Sequence, residues 1–297
     1  MDKSANSTGT AHQAEKKISM PQMCIDGLSE NWLFKYFGAN HWAMLCSGLG
    51  TDSTHLQNAE GDRLYASFVR IKIDAEQPLN SFKENEHIQF NGQIQRYGNA
   101  MYFSNFELSS KEEKSKNLSA KLMTVFSARE SAGNQKLLRS EVKNNNSIVK
   151  ALNAMPEFGM EYRKIKKQKT KQICLKGYDF AIDDDVVFEK EYNLNPYYDV
   201  NGVGLIYFAA YPTISDNCES YYFNEVNNQF DRRWEQHYFT LARDIMYYAN
   251  CELSDTIIYH LNKIEKVKRG IVKITSSLYR KSDKLLMAKI FTLKKLK

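Results

Sequence analysis

The sequence predicts an α+β fold in which one unit, a buried helix followed by antiparallel strands, is stated twice. Met20 to Ile73 begins MPQMCIDGLSENWLFKYFGANHWAMLCSGLG, passes through a polar loop, and ends GDRLYASFVRIKI. That is a short apolar run, an aromatic-rich helical pattern and a strong strand. The same order returns where NPYYDVNGVGLIYFAAYPTISDNCE precedes HYFTLARDIMYYANCEL. A third observation links the halves. Tyr65-Ala-Ser-Phe-Val-Arg70 and Tyr238-Phe-Thr-Leu-Ala-Arg243 both place Tyr five residues before Arg in the strand after the helix, as duplication of one unit would.

Taken in order, residues 1–19 are polar, lack the apolar stretch of a signal peptide and read as a disordered tail. Met20 to Ile25 reads as a short strand. Leu28 to Leu49 carries apolar residues at 28, 32, 33, 36, 37, 44, 45 and 49, a helical spacing whose stripe is broad enough for a mostly buried helix. Ser29 is placed to cap it and Glu30 to meet its dipole, while Gly38 predicts a bend or a break. Residues 51–62 form a polar loop. Leu64 to Ile73 is a strand, with Arg63 and Tyr65 on the face shared by Val69, Ile71 and Ile73. His87 to Arg96 and Ala100 to Ser109 flank a hairpin turn at Tyr97-Gly98-Asn99, and Lys121 to Arg129 is a further strand. Ser131 to Lys171 is rich in Asn, Lys, Ser and Glu and predicts a surface linker, helical around Ser147 to Met155. Strands resume at Ile173, through Tyr178 to Ile182 and Val186 to Tyr192. Asn201 is placed to cap a helix starting near Gly202, and Pro212 predicts a kink or an end in it. Tyr238 to Tyr248, Thr256 to Ile264, Val272 to Tyr279 and Leu285 to Leu293 are the last strands. The expected division is a tail at 1–19, a first unit at 20–131, a basic linker at 132–172 and a second unit at 173–297.

Composition narrows the function classes. With 297 residues, 42% of them hydrophobic, the chain can bury the core of one large domain or of two fused halves. No apolar run is long enough to span a membrane, so a cytoplasmic protein without a membrane partner is expected. Five scattered cysteines with no CxxC pair, and six dispersed histidines, argue against a disulfide framework and a structural zinc. The net charge of +6 is concentrated in RKIKKQKTK at 163–171, KVKRG at 266–270 and the terminal KKLK. Without aromatic interleaving or a recognition motif these runs do not make a nucleic-acid surface. They read as solvated charge, or as a docking surface for an acidic carrier protein or coenzyme A phosphates.

The strings LSENWLFKYFG, GDRLYASFVRI, NGVGLIYFAAYPTISDNCE and ARDIMYYANCELSD resemble the LnmK-like bifunctional acyltransferase/decarboxylases, double hot-dog proteins of polyketide biosynthesis. The resemblance covers about residues 20–130 and 175–297 and does not extend to the linker. It implies two fused hot-dog units, each an antiparallel sheet around a central helix, paired edge to edge with active sites at the seam. It also implies an activity: methylmalonyl coenzyme A is decarboxylated and propionyl is delivered to an acyl carrier protein, with an active-site tyrosine acylated on the way. The matching tyrosine is Tyr65, in GDRLYASF. The thioester is the substrate and no cofactor is required. Acyl coenzyme A and the carrier are the expected partners of a monomer or homodimer.

The chemistry sets the remaining candidates. Decarboxylation builds an enolate, which backbone N–H groups at a helix start would stabilise. Ser29, Glu30 and Asn31 at one helix start, and Asn201 and Gly202 at the other, are therefore candidate substrate contacts. Tyr65 as a nucleophile needs a nearby cation or base, because a free phenol has a pKa of about 10, and Arg63 is the candidate. Arg243 would hold a phosphate or carboxylate, or pair with a neighbouring acid. His41 is either a pocket acid/base or a packed helix histidine, and with Asp244 it would make a dehydratase pair. Glu30 and Asn31 would polarise a water for thioester hydrolysis, or simply serve the helix start. Trp32 and the FAAY stretch read as core. The competing functions are a hot-dog thioesterase or dehydratase, and a non-catalytic carrier-binding protein.

Overall fold

The structure, a computed structural model, describes residues 6–25, 27–130, 133, 136–143, 147–182, 184–227 and 233–297. Its frame is one twelve-stranded antiparallel sheet. The first half contributes β1 (Asn6–Thr8), β2 (Ala11–Lys17), β5 (Tyr65–Ala75), β6 (His87–Tyr97), β7 (Met101–Ser110), β8 (Asn117–Arg129) and β9 (Leu137–Arg139). The short pair β3 (Met23–Cys24) and β4 (Gly27–Leu28) stands apart from it, as does the hairpin β10 (Gln172–Leu175) and β11 (Tyr178–Ala181). The second half contributes β12 (Phe188–Asn193), β13 (Tyr238–Tyr247), β14 (Thr256–Val267), β15 (Ile271–Arg280) and β16 (Leu286–Leu296). The strand order is β1-β2-β6-β7-β8-β5-β13-β16-β15-β14-β12, with β9 added beside β8.

That order is the same read inward from either end once the small β1 is set aside. It repeats the connectivity of the first half in the second, and the halves meet through β5 and β13. The register at the meeting is symmetric: Arg70 pairs with Met246, and Arg243 with Ile73. A shift of 173 residues carries Arg70 onto Arg243 and Ile73 onto Met246. The two Tyr-x4-Arg strings therefore occupy equivalent places about a local twofold.

Helix α1 (Glu30–Leu49) is a single continuous helix that buries Leu33, Phe34, Phe37, Met44 and Leu45. Gly38 does not break it. A Cβ there would stand 2.1 Å from Phe208 Cζ, so the glycine lets that ring lie against the helix. Gly98, at φ +64°, makes the β6–β7 turn. Helix α3 (Ala210–Tyr221) begins later than expected. Pro212 is thus a first-turn proline, where a missing N–H costs no helical bond, and neither a kink nor an end occurs there.

Three other expectations fail. Within the expected tail, Ala11–Lys17 is a strand paired along β6 from Ala11↔Gln93 to Lys17↔His87; residues 1–5 lie outside the described residues. Met20 to Gln22 is a turn of 3₁₀ helix rather than strand. Inside the expected linker, 147–155 is irregular and the helix is α2 (Glu157–Lys166), with Phe158, Tyr162 and Ile165 buried. Residues 131, 132, 134, 135 and 144–146 of that segment lie outside the described residues. The reason is the central sheet. β5, β8, β13 and β16 carry apolar side chains on both faces. Ile71, Leu122, Ile245 and Ile290 belong to a core shared with α1 and α3. Val69, Met123, Met246 and Phe291 belong to a second core shared with α2, β10 and β11. A strand apolar on both faces needs a layer on each, and the basic segment supplies the second one. Arg70 fastens it: its guanidinium donates to Phe158 O at 2.7 Å and pairs with Glu161 at 3.0 Å.

Candidate active site

A cavity of about 740 Å³ opens at the seam between the halves. Beyond the paired stretch 70–74 of β5 with 242–246 of β13, the strands separate. Residues 65–69 of β5 line one wall and Tyr247, Tyr248 and Asn250 the other, with Gly38, Ala39 and Trp42 of α1 and the loop 201–208 completing it. Its inner wall includes Met101, Met123, Val125, Leu205 and Phe208, and its exposed rim carries Arg63, Lys136, Arg139, Arg163 and Lys166. Among the described residues that line it there is no Asp, Glu or His.

Four of the sequence-chosen residues meet here: Arg63, Tyr65, Asn201 and Gly202. Tyr65 stands between two cations. The Arg63 guanidinium carbon is 5.4 Å and that of Arg129 5.2 Å from its ring centroid, close enough for cation–π attraction. The other cavity tyrosines differ. Tyr211 donates to Ala249 O at 3.0 Å and Tyr247 to Phe208 O at 3.0 Å. Burial pushes both phenols above their ordinary pKa, and Tyr162 up to about 12. These are fixed neutral phenols. Asn201 caps no helix. Its Oδ1 accepts from the amides of Val203 at 3.1 Å and Leu205 at 3.0 Å, folding 201–206 into a tight loop at the cavity.

The other five candidates lie outside the cavity and already have partners. Ser29 is the N-cap of α1, accepting from the Trp32 amide at 3.2 Å. Asn31 ties the two helix starts together, donating to Ala209 O at 3.0 Å and Thr213 Oγ1 at 3.2 Å. Glu30 and Arg243, both chosen to meet substrate, hold each other at 2.6 Å. Asp216 joins Arg243 at 2.8 Å and Lys294 at 2.7 Å, and Lys294 also holds Glu219 at 2.7 Å. Burial raises the Glu30 pKa, whereas Arg243 and Lys294 hold Asp216 below its usual range despite burial. This network lies beside the Tyr238 end of β13, the twofold counterpart of the Tyr65 end of β5, and it fills with charge what the cavity leaves open on the other side.

His41 is wholly buried, with Nδ1 2.7 Å from Ser104 Oγ and Nε2 2.8 Å from Thr124 Oγ1. Asp244, its imagined dehydratase partner, instead pairs with Arg70 at 2.6 Å. Burial pushes the His41 pKa down to about 3 from 6.5. The folded state then refuses a proton that the unfolded chain accepts. Stability should be full above pH 6.5 and fall by about 1.4 kcal/mol per unit between there and pH 3. Denaturant melts of His41→Gln and the native protein across that window test it. Parallel losses in the two would remove His41 as the cause.

Sequence reading missed Arg129, Trp42, Tyr247, Tyr248 and the α2 cations; it assigned the FAAY stretch to core, where Ala209, Ala210 and Tyr211 are buried with Phe208 packed against them, and Phe208 and Tyr211 also line the cavity. Arg129 reaches Tyr65 because the register sets Ser127 opposite Tyr65, and it also donates to Val203 O of the 201–206 loop. No local spacing announces that. Among the described residues no group of three or more His, Cys, Asp or Glu could hold a metal ion, and no helix is long and apolar enough to cross a membrane.

No protein-family model matches the sequence, and no curated protein matches it. Solved structures do match the fold. A putative oleoyl thioesterase from Lactobacillus plantarum superposes with TM-score 0.66 at 9% identity, covering 98% of each chain. The 12:0-ACP thioesterase from Umbellularia californica gives 0.62 at 10% identity, over 97% of this chain and 94% of that one. An acyl-ACP thioesterase from Bacteroides thetaiotaomicron gives 0.60 at 10% identity, over 96% and 98%. The fold, a large antiparallel sheet with few helices, is that of the hot-dog thioesterases.

Proposed function

We propose that this protein is an acyl-thioester enzyme of two fused hot-dog units. In this reading it decarboxylates a malonyl-type coenzyme A ester, methylmalonyl coenzyme A, and passes the propionyl group to an acyl carrier protein through Tyr65. The observation that carries the reading is Tyr65 between two guanidiniums in a seam cavity lined by no Asp, Glu or His among the described residues. Hydrolysis needs a base to activate water, and dehydration needs an acid/base pair; the described lining supplies no carboxylate or imidazole for either. Decarboxylation needs no base. The C–C bond to the carboxylate breaks, carbon dioxide leaves, and its electron pair passes into the thioester enolate. Cations at the site favour that charge. Gly202 lies in the cavity wall on the loop whose Val203, Gly204 and Leu205 amides bond within the loop, and we assign its N–H to the enolate oxygen. The Tyr65 hydroxyl then gives its proton to the α-carbon, which turns the enolate into the propionyl thioester and leaves a phenolate beside Arg63 and Arg129. That oxygen attacks the thioester carbonyl, the carbon–oxygen bond forms, the carbon–sulfur bond breaks, and coenzyme A leaves as thiolate. The thiol of the carrier then attacks the tyrosyl ester, and its proton returns to the Tyr65 oxygen as that bond breaks.

Thioesterases among the structural neighbours favour hydrolysis as the second reading. One incubation separates the two. With methylmalonyl coenzyme A, carbon dioxide release and a propionyl mass on the Tyr65 peptide are expected. Free acid without carbon dioxide would establish the hydrolase instead, and unchanged substrate would leave a carrier-binding protein.

A further inference from the structure

The cavity rim gathers cations from three separate elements. Arg63 lies just before β5, Lys136 and Arg139 flank or end β9, and Arg163 and Lys166 come from α2. All five are exposed. Lys136 pairs with Glu130, whereas Arg63, Arg139, Arg163 and Lys166 pair with no carboxylate among the described residues. A basic run is ordinarily solvated and scattered. Here α2 is anchored by Phe158, Tyr162 and Ile165 in the second core, so the helix turns Arg163 and Lys166 toward the cavity and Lys164 and Lys167 elsewhere. Convergence on one concavity, with no lining carboxylate to neutralise it, concentrates positive potential at the mouth. Guanidiniums there match the forked geometry of phosphate oxygens.

We propose that this rim is a phosphate site that seats the 3′-phosphate and diphosphate of coenzyme A, with the pantetheine arm directed inward toward Tyr65. The inference rests on the acyl-thioester reading of the cavity, and it names coenzyme A, rather than a carrier protein, as the donor that the mouth selects. A carrier-bound arm brings a single phosphodiester and a protein surface. A concave cluster of four carboxylate-free cations fits a compact polyanion better.

The test needs no turnover. Adenosine 3′,5′-bisphosphate, which has the phosphates of coenzyme A without the arm, is titrated into the full chain by calorimetry at two salt concentrations. Salt-sensitive binding is expected. In Arg163→Ala/Lys166→Ala its Kd should rise by about tenfold or more, the loss expected for charge-assisted contacts. Lys164→Ala/Lys167→Ala removes the same charge from α2 and its C-cap, away from the cavity, and should leave the Kd as it was. Circular dichroism checks that both variants fold. Absence of binding to the native protein, or an equal loss in both variants, would overturn the site. So would a phosphopantetheinylated carrier, and not the bisphosphate, losing affinity in Arg163→Ala/Lys166→Ala. Binding that behaves as expected without decarboxylation in the incubation above would leave the rim standing and remove the proposed reaction.

Discussion

Tyr65→Phe should abolish acyl transfer and leave no acylated protein, while the fold survives. The change removes one oxygen and almost no volume from a half-buried side chain, so the melting midpoint should stay within the range of surface substitutions. If the hydroxyl carries the acyl group, no transfer to the carrier remains. If it only donates to the enolate, decarboxylation should slow by about 10²–10³-fold without vanishing, and carbon dioxide should still appear. Unchanged rates of both steps would remove Tyr65 from the chemistry and raise the hydrolase and binding readings. Arg129→Met sharpens the distinction. It takes away one of the two cations beside the ring and should slow acylation of Tyr65 while the melting midpoint stays in place. A purely structural role for Arg129 would instead lower the midpoint along with the rate.

The second large effect is on stability. Arg70 and Asp244 are wholly buried and joined by two hydrogen bonds, 2.9 Å from Nε and 2.6 Å from Nη2, across the strands where the halves meet. Asp244→Ala leaves a buried guanidinium with only Glu161 and Phe158 O for company. Breaking one side of such a pair costs about 3–5 kcal/mol, read as a fall in the denaturation midpoint at unchanged slope. Replacing both partners, Arg70→Met with Asp244→Leu, should recover most of that loss, because no uncompensated charge remains. Since Arg70 also holds Phe158 and Glu161, amide exchange in α2 should still be faster in the double variant than in the native protein. A cost below about 1 kcal/mol for Asp244→Ala, the scale of an exposed pair, would show that Glu161 and water replace it fully.

The elements most readable in the sequence were those whose signal is local. The β6–β7 hairpin is written in alternation around Gly98, and α1 in apolar spacing behind the Ser29 cap. The last four strands follow from their own residues in the same way. β2 was missed because Ala11–Lys17 is polar and lies at the rim of the sheet, held by pairing with β6 rather than by burial. α2 was misplaced because its ten residues include Arg163, Lys164 and Lys166. Its apolar stripe is short, and it becomes a helix packed on the sheet because the central strands need a second cover. A clue was present in β13, whose YFTLARDIMY is buried along nearly its whole length. Such a strand is covered on both faces.

For the site, the sequence by itself determined that a helix-then-strands order recurs and that Tyr65 and Arg63 are neighbours. Those are relations over a few residues, or a pattern that recurs. It did not determine which charges face the cavity. Glu30 and Arg243 are 213 residues apart and satisfy each other only because the sheet brings β13 beside the start of α1. Arg129 meets Tyr65 through a register that no residue type specifies. Arg163 and Lys166 leave the solvated basic run for the cavity rim because Phe158, Tyr162 and Ile165 fix the rotation of α2. A charge in sequence has no direction. Packing of the apolar residues beside it decides whether it meets a partner, water or a substrate.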